Sequence, residues 1–177
     1  MTTVEARTVD IRPFAPAHHA GVVALVVGIQ QGEFGFSITY EQQPDLQDIS
    51  GFFRKGAGEF WVAVAGGRVV GTIALVDLGN GQGAVRKMFV DSAYRGREAG
   101  VARRLLATLL DWARTHGIMD ICLGTTDKFR AAHRFYEKNG FSQVASDSLP
   151  ENFPRMNVDT RFYRLWLDKP GSQVTRA

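Results

Sequence analysis

The chain has 177 residues, 45% hydrophobic and 22% charged, with a formal net charge of +3. That length suits one domain with a sizeable core, and the composition excludes a disordered, fibrous or repetitive chain. The arginines are scattered and not interleaved with aromatics, which argues against a nucleic-acid partner.

The first residues, MTTVEARTVDIRPF, carry an early acidic residue and no apolar core, so no signal peptide is expected. The longest apolar stretch, Ala20–Ile29, is too short to span a bilayer, and no membrane partner is expected. Cys122 is the one cysteine, which excludes an intrachain disulfide and favours a cytoplasmic setting. One domain is expected over residues 1–168, with a flexible tail over 169–177 where Pro-Gly follows Lys169.

In chain order, Thr8–Pro13 alternates and reads as a short strand, and Pro16–Gln31 has apolar residues at helical spacing. Gln30–Leu46 mixes glycine, aromatics and acids without period and reads as a long, functional loop; Asp45–Phe53 then has room for one or two helical turns. Glu59–Ala65 and Arg68–Leu78 are strands joined at Gly66-Gly67, and Ala84–Val90 is a third strand after Gly79–Gly83. Val101–His116 is the strongest helix: Val101, Leu105, Leu109 and Trp112 form one stripe, with Arg103, Arg104, Asp111 and Arg114 opposite. Ile118–Gly124 follows as a buried strand, then a helix over Lys128–Lys138, then strands over Phe141–Ala145 and Asn157–Leu167. The order implies an α/β fold with a mixed sheet and the main helix in its middle.

Two glycine-rich stretches could cradle a phosphate. Gly79–Gly83 has strands on both sides and therefore reads as a hairpin turn. Tyr94–Ala102 lies between a strand and a helix, where unpaired amides and the helix dipole converge on an anion. Gly100 and Ala102 are small enough for close backbone approach, and Arg95, Arg97, Arg103 and Arg104 surround the turn with positive charge.

The run Met88–Leu110 resembles the acetyl-CoA-binding motif of the GNAT superfamily of N-acetyltransferases. Arg97-Glu98-Ala99-Gly100-Val101-Ala102 satisfies its core pattern in phase with Leu105-Leu106, and Tyr94-Arg95-Gly96-Arg97 offers a second register. The first register is preferred because helix phase sets where the amides point. Glu98 departs from the pattern in either register, placing a carboxylate near a diphosphate. Phe129–Phe141 is similar to the family's second signature; Ala132 and Tyr136 match it, whereas Phe129 stands where Asn is usual.

The resemblance implies a mostly antiparallel sheet with splayed central strands, helices on both faces, and acetyl-CoA as acetyl donor. By it, Met88, Phe89 and Val90 lend main-chain groups to the cofactor arm, one amide among them serving as oxyanion donor. Arg95, Arg97, Glu98, Ala99, Gly100, Val101, Ala102 and Arg103 form the phosphate cradle, and Lys128 and Ala132 add contacts. Tyr136 is the expected general acid at the sulfur. The implied partners are acetyl-CoA and an amine, small or peptidic, with a homodimer allowed. The implied reaction is direct attack through a tetrahedral intermediate; the alternative is a catalytically weak acetyl-CoA sensor or partner-binding module on the same fold.

Relatives often carry a glutamate base on the strand before the phosphate loop, but here that strand reads Ala84-Val85-Arg86-Lys87-Met88-Phe89-Val90. Candidate bases elsewhere are Glu33, Tyr40, Glu41, Asp45, Glu59 and Asp77. Glu33 leads, because Phe34 and Phe36 could desolvate it and raise its pKa. Glu33, Glu41 and Asp45 together hint at a cationic amine. His18, His19, His116 and His133 do not share metal-ligand spacing on one helix face, so no metal site is expected. Cys122, between Ile121 and Leu123, reads as an inert core residue.

Overall fold

The computed structural model describes residues 8–96 and 100–168. β1 (Val9–Pro13) leads through a 3-10 turn, Pro16–His18, into α1 (His19–Gly28). The helical pattern read as far as Gln31 ends instead in a wide turn of π geometry, Ile29–Glu33, where Phe34 N–H donates to Ile29 O at 3.2 Å. Two short helices follow, α2 (Pro44–Gln47) and α3 (Ile49–Phe53), the second capped by Asp48, whose carboxylate accepts from Gly51 N–H.

The meander is β2 (Glu59–Ala65), β3 (Arg68–Gly79) and β4 (Gln82–Val90). Gly79–Gly83 is thus a tight turn at Asn80-Gly81, as its flanking strands require. β2 reads as a nearly unbroken apolar run because both of its faces are covered. α4 (Val101–Thr115), β5 (Asp120–Thr125) and α5 (Arg130–Lys138) come next, then β6 (Ser142–Val144) and β7 (Arg161–Trp166). The last strand is shorter than the sequence pattern implied, since residues 157–160 form a turn that delivers the chain to β7.

Among the described residues the strands form one sheet in the order β1-β2-β3-β4-β5-β7-β6. Every neighbouring pair is antiparallel except β4 with β5. One face packs against α4 and α5 through Val85, Leu105, Leu109, Ile121, Leu123 and Tyr136. The other packs against α1, α2 and α3 through Val22, Val26, Leu46, Phe53, Phe60 and Val62. A smaller core joins Ala84, Cys122 and Phe162 to Leu149 and Phe153 of the segment before β7.

α4 lies close on the sheet because position 71 is glycine: a Cβ there would stand 2.9 Å from Leu105 Cδ1. Cys122 is buried and its thiol is pushed up to about 11 by burial, consistent with an inert core residue. Among the described residues no helix is long and apolar enough to cross a membrane. The tail over 169–177 lies outside the described residues.

Candidate active site

The site is a gap in the sheet. β4 and β5 run parallel but pair only over Gln82–Ala84 with Asp120–Cys122. Asp120 stitches the closed end: it accepts from Gln82 Nε2 at 3.0 Å and from Arg164 Nε and an Arg164 terminal nitrogen at 2.8 and 2.6 Å. Past Ala84 and Cys122 the strands diverge without ladder bonds, and β4 continues to Val90 with its β5-facing edge unpaired by that strand.

β4 also bulges there. Its register against β3 shifts between Thr72 and Ala74, and Lys87 takes a left-handed backbone, φ 52°. The buried Thr72 hydroxyl donates to Lys87 O at 2.6 Å, holding the bulge. The bulge turns Lys87 into the protein beneath the long loop. Its Nζ donates to Gln43 Oε1 at 2.7 Å and lies 3.2 Å from Asp45 Oδ2, which is 3.6 Å from Arg86. Burial lowers the Lys87 pKa against the opposing pull of Asp45.

The chain from β4 to α4 turns through Asp91, whose carboxylate accepts from Ala93 N–H at 2.9 Å. Arg95 folds back, its Nε donating to Val90 O at 2.8 Å. Gly100, left-handed at φ 60°, opens α4, a conformation glycine adopts without a Cβ clash. The helical ladder begins where Arg104 N–H donates to Gly100 O at 3.0 Å. The amides of Val101, Ala102 and Arg103 precede it, the donor set and positive dipole end that a helix start offers an anion. Arg103 is exposed beside them, whereas Arg104 turns away and donates to Val9 O at 2.7 Å. Arg97, Glu98 and Ala99 lie outside the described residues.

Met88, Val90, Val101, Ala102, Ala132 and Tyr136 meet in or against one core, on the α4 side of the gap. Phe89 packs on the opposite side with the α1–α3 core. Tyr136 is edge-on to Phe141 and Phe135, at 5.5 and 5.6 Å between ring centres, and burial pushes its phenol well up. A phenol so placed holds its proton at neutral pH. Lys128 Nζ lies 5.2 Å over the Phe36 ring. Phe34, Phe36 and Phe129 form an aromatic cluster that ties the long loop to the start of α5, with Phe34 and Phe129 4.1 Å apart.

Glu33 corrects the sequence reading. Its carboxylate is gripped by both terminal nitrogens of Arg95, one at 2.7 Å, and that pair lowers its pKa where desolvation was expected to raise it. Phe34 and Phe36 face Phe129 instead. Asp45 is likewise paired, with Arg86 and Lys87. The sequence reading singles out neither Arg86 and Lys87, noted only for lying on a strand without a carboxylate, nor Asp159, which it places in the last strand. Asp159 lies beside β5 in the splayed region, its Oδ2 2.6 Å from where a Gly124 Cβ would sit.

Comparison with known proteins agrees with this geometry. Residues 26–141 match the acetyltransferase (GNAT) family. The chain is 42% identical to N-acetylaspartate synthetase of Xenopus tropicalis over 104 residues, 56% of this chain and 37% of that protein. It is 33% identical to N-acetyltransferase 8F1 of Rattus norvegicus, over 68% of this chain and 52% of that one. The chain thus spans about half or less of these curated relatives. Among solved structures, a GNAT-family acetyltransferase of Staphylococcus aureus superposes with a TM-score of 0.87 at 34% identity, covering 91% of this chain and all of that one. N-acetylglutamate synthase of Neisseria gonorrhoeae, complexed with coenzyme A and N-acetylglutamate, shares the fold at a TM-score of 0.68 and 19% identity, over 93% of this chain and 36% of that chain. The chain belongs to the GNAT family of acetyltransferases, for which acetyl-CoA is the acetyl donor.

Proposed function

We propose that the chain transfers the acetyl group of acetyl-CoA to the primary amine of a small acceptor that carries a carboxylate near that amine. The observation that carries this reading is the β4–β5 gap, with an anion-binding helix start at one side and a buried phenol beside it. The amides at the start of α4 suit a diphosphate, and the unpaired edge of Met88–Val90 suits an amide-bearing arm. The acceptor nitrogen attacks the thioester carbon, one β4 amide receives the developing oxyanion, and Tyr136 protonates the departing sulfur.

The acceptor class rests on charge. Arg86, on the sheet face opposite α4, lies 3.6 Å from Asp45 and reaches across the gap to Met156, and its guanidinium is the group suited to an anionic substituent on the acceptor. The relatives named for N-acetylaspartate and N-acetylglutamate are consistent with an amino-acid acceptor.

The test is release of CoA thiol across a panel of acidic amino acids, neutral amino acids, polyamines and peptides. Acidic or neutral amino acids should turn over faster than polyamines. Tyr136→Phe should lower kcat by about 100-fold, the low end for loss of a general acid. Acetyl-CoA binding with no turnover on any amine would overturn the enzyme reading and leave the alternative, a cofactor sensor.

A further inference from the structure

We propose that Asp159 is the general base of this enzyme, taking the proton from the acceptor amine at the open end of the β4–β5 gap; the assignment rests on the acetyl transfer proposed above. Asp159 is held at the gap by a short network. Met156 N–H donates to its Oδ2 at 2.9 Å, and its own N–H donates to Met156 O at 3.0 Å. The next residue, Thr160, donates its N–H to Thr125 O at 2.9 Å, and its hydroxyl oxygen accepts from Asp127 N–H at 3.1 Å. These bonds moor the carboxylate to the last residues of β5, beyond Cys122, where pairing with β4 has ended.

The carboxylate fits there because Gly124 has no side chain. A Cβ would stand 2.6 Å from Oδ2 and 3.2 Å from the Phe162 ring, so the carboxyl fills a notch in the splayed strand. From across the gap, Arg86 of β4 reaches the same segment, its guanidinium 3.3 Å from Met156 Sδ. The base would therefore sit beside the cation assigned to the acceptor's anionic group. An amine flanked by a carboxylate meets both halves of that pair.

The carboxylates nominated from sequence are otherwise occupied. Glu33 is held by Arg95, Asp45 by Arg86 and Lys87, and Glu59 by Arg54. Asp77 accepts from Ala57 N–H and Gly79 N–H, and Glu41 is exposed on the surface. Asp159 accepts a single backbone N–H, and its Oδ1 is engaged by no hydrogen bond among the described residues. Burial raises its pKa against the pull of Met156 N–H and of Arg86, which makes the carboxylate a better proton acceptor. Of the elements packed on it, β4 presents Arg86, whereas β5 presents Gly124 and β7 presents Phe162, neither titratable.

The proton count closes. The acceptor ammonium gives one proton to Asp159 and becomes a nucleophile; its nitrogen adds to the thioester carbon, and the tetrahedral intermediate then re-forms the carbonyl as the C–S bond breaks. Tyr136 gives its proton to the sulfur and regains one, through solvent, from the nitrogen that has become an amide. Asp159 then releases its proton to water, and one proton is liberated per turnover.

The experiment uses the full chain with the best amine of the panel. Asp159→Asn keeps an oxygen for Met156 N–H and nearly the same size, so the turn is preserved while the base is lost. Expected are a kcat lower by about 100-fold or more, an unchanged KM for acetyl-CoA and loss of the acid limb of the kcat–pH profile. Gly124→Ala, which drives the carboxylate from its notch, should lower kcat in the same way. A folded Asp159→Asn protein with wild-type kcat and a wild-type acid limb would overturn the assignment. If Asp159→Asn does not fold, a Gly124→Ala protein with wild-type kcat overturns it instead. Wild-type protein that releases no thiol with any amine overturns the acetyl-transfer reading first.

Discussion

Glu33 and Asp159 are both carboxylates that feel an arginine, yet their pKa values move in opposite directions. The difference is the distance of the cation. Arg95 grips Glu33 directly at both oxygens, whereas Arg86 acts on Asp159 only through space while burial dominates. The lowered pKa of Glu33 means that its ion pair contributes above its ordinary value of 4.5 and is lost as pH falls through the lowered one. Because the carboxylate is exposed, that contribution is small. Glu33→Gln should therefore leave the acid limb of the kcat–pH profile where it lies in the wild type, as followed by thiol release. A displaced limb would return Glu33 to the chemistry. The residue types of the site were readable in sequence, but not which carboxylate had a partner. Phe34 and Phe36 closely follow Glu33 in the chain, while Arg95 is 62 residues away.

Among the elements, β4 does the most to shape the site. Ala84–Val90 reads as an ordinary strand, and its bulge has no local signal, since Lys87 is not a residue that favours a left-handed backbone. The bulge is imposed from β3, where Thr72 replaces the missing ladder bond with its hydroxyl. Thr72→Val removes that donor at a fully buried position and leaves Lys87 O unsatisfied, which should cost about 1–3 kcal/mol in urea unfolding. A loss below about 0.5 kcal/mol, the range of ordinary surface changes, would show that the bulge holds without Thr72. α4 behaves in the opposite way. Its buried stripe of Val101, Leu105, Leu109 and Ala113 follows directly from helical spacing, and its start at Gly100 was legible for the same reason.

For the whole molecule, the sheet must be tight at one end of the β4–β5 seam and open at the other. Asp120 supplies the tight end by joining β4, β5 and β7 through Gln82 and Arg164. Asp120 is 2% exposed, so Asp120→Ala strands the Arg164 charge in a partly buried setting. The expected loss is about 3–5 kcal/mol, measured by urea unfolding. An unchanged midpoint would mean that the seam is closed by apolar packing of Ala84, Cys122 and Phe162 alone.

Periodicity, turn glycines and small residues at a helix start act within a few positions of one another, and on these local rules the succession of strands and helices along the chain, the main helix and its start at Gly100 could all be read from sequence. The unpaired seam, the bulge at Lys87, the capture of Glu33 by Arg95 and the notch at Gly124 that admits Asp159 were decided by the folded structure. Desolvation and ion pairing depend on which distant residues come together, and only the tertiary arrangement sets that.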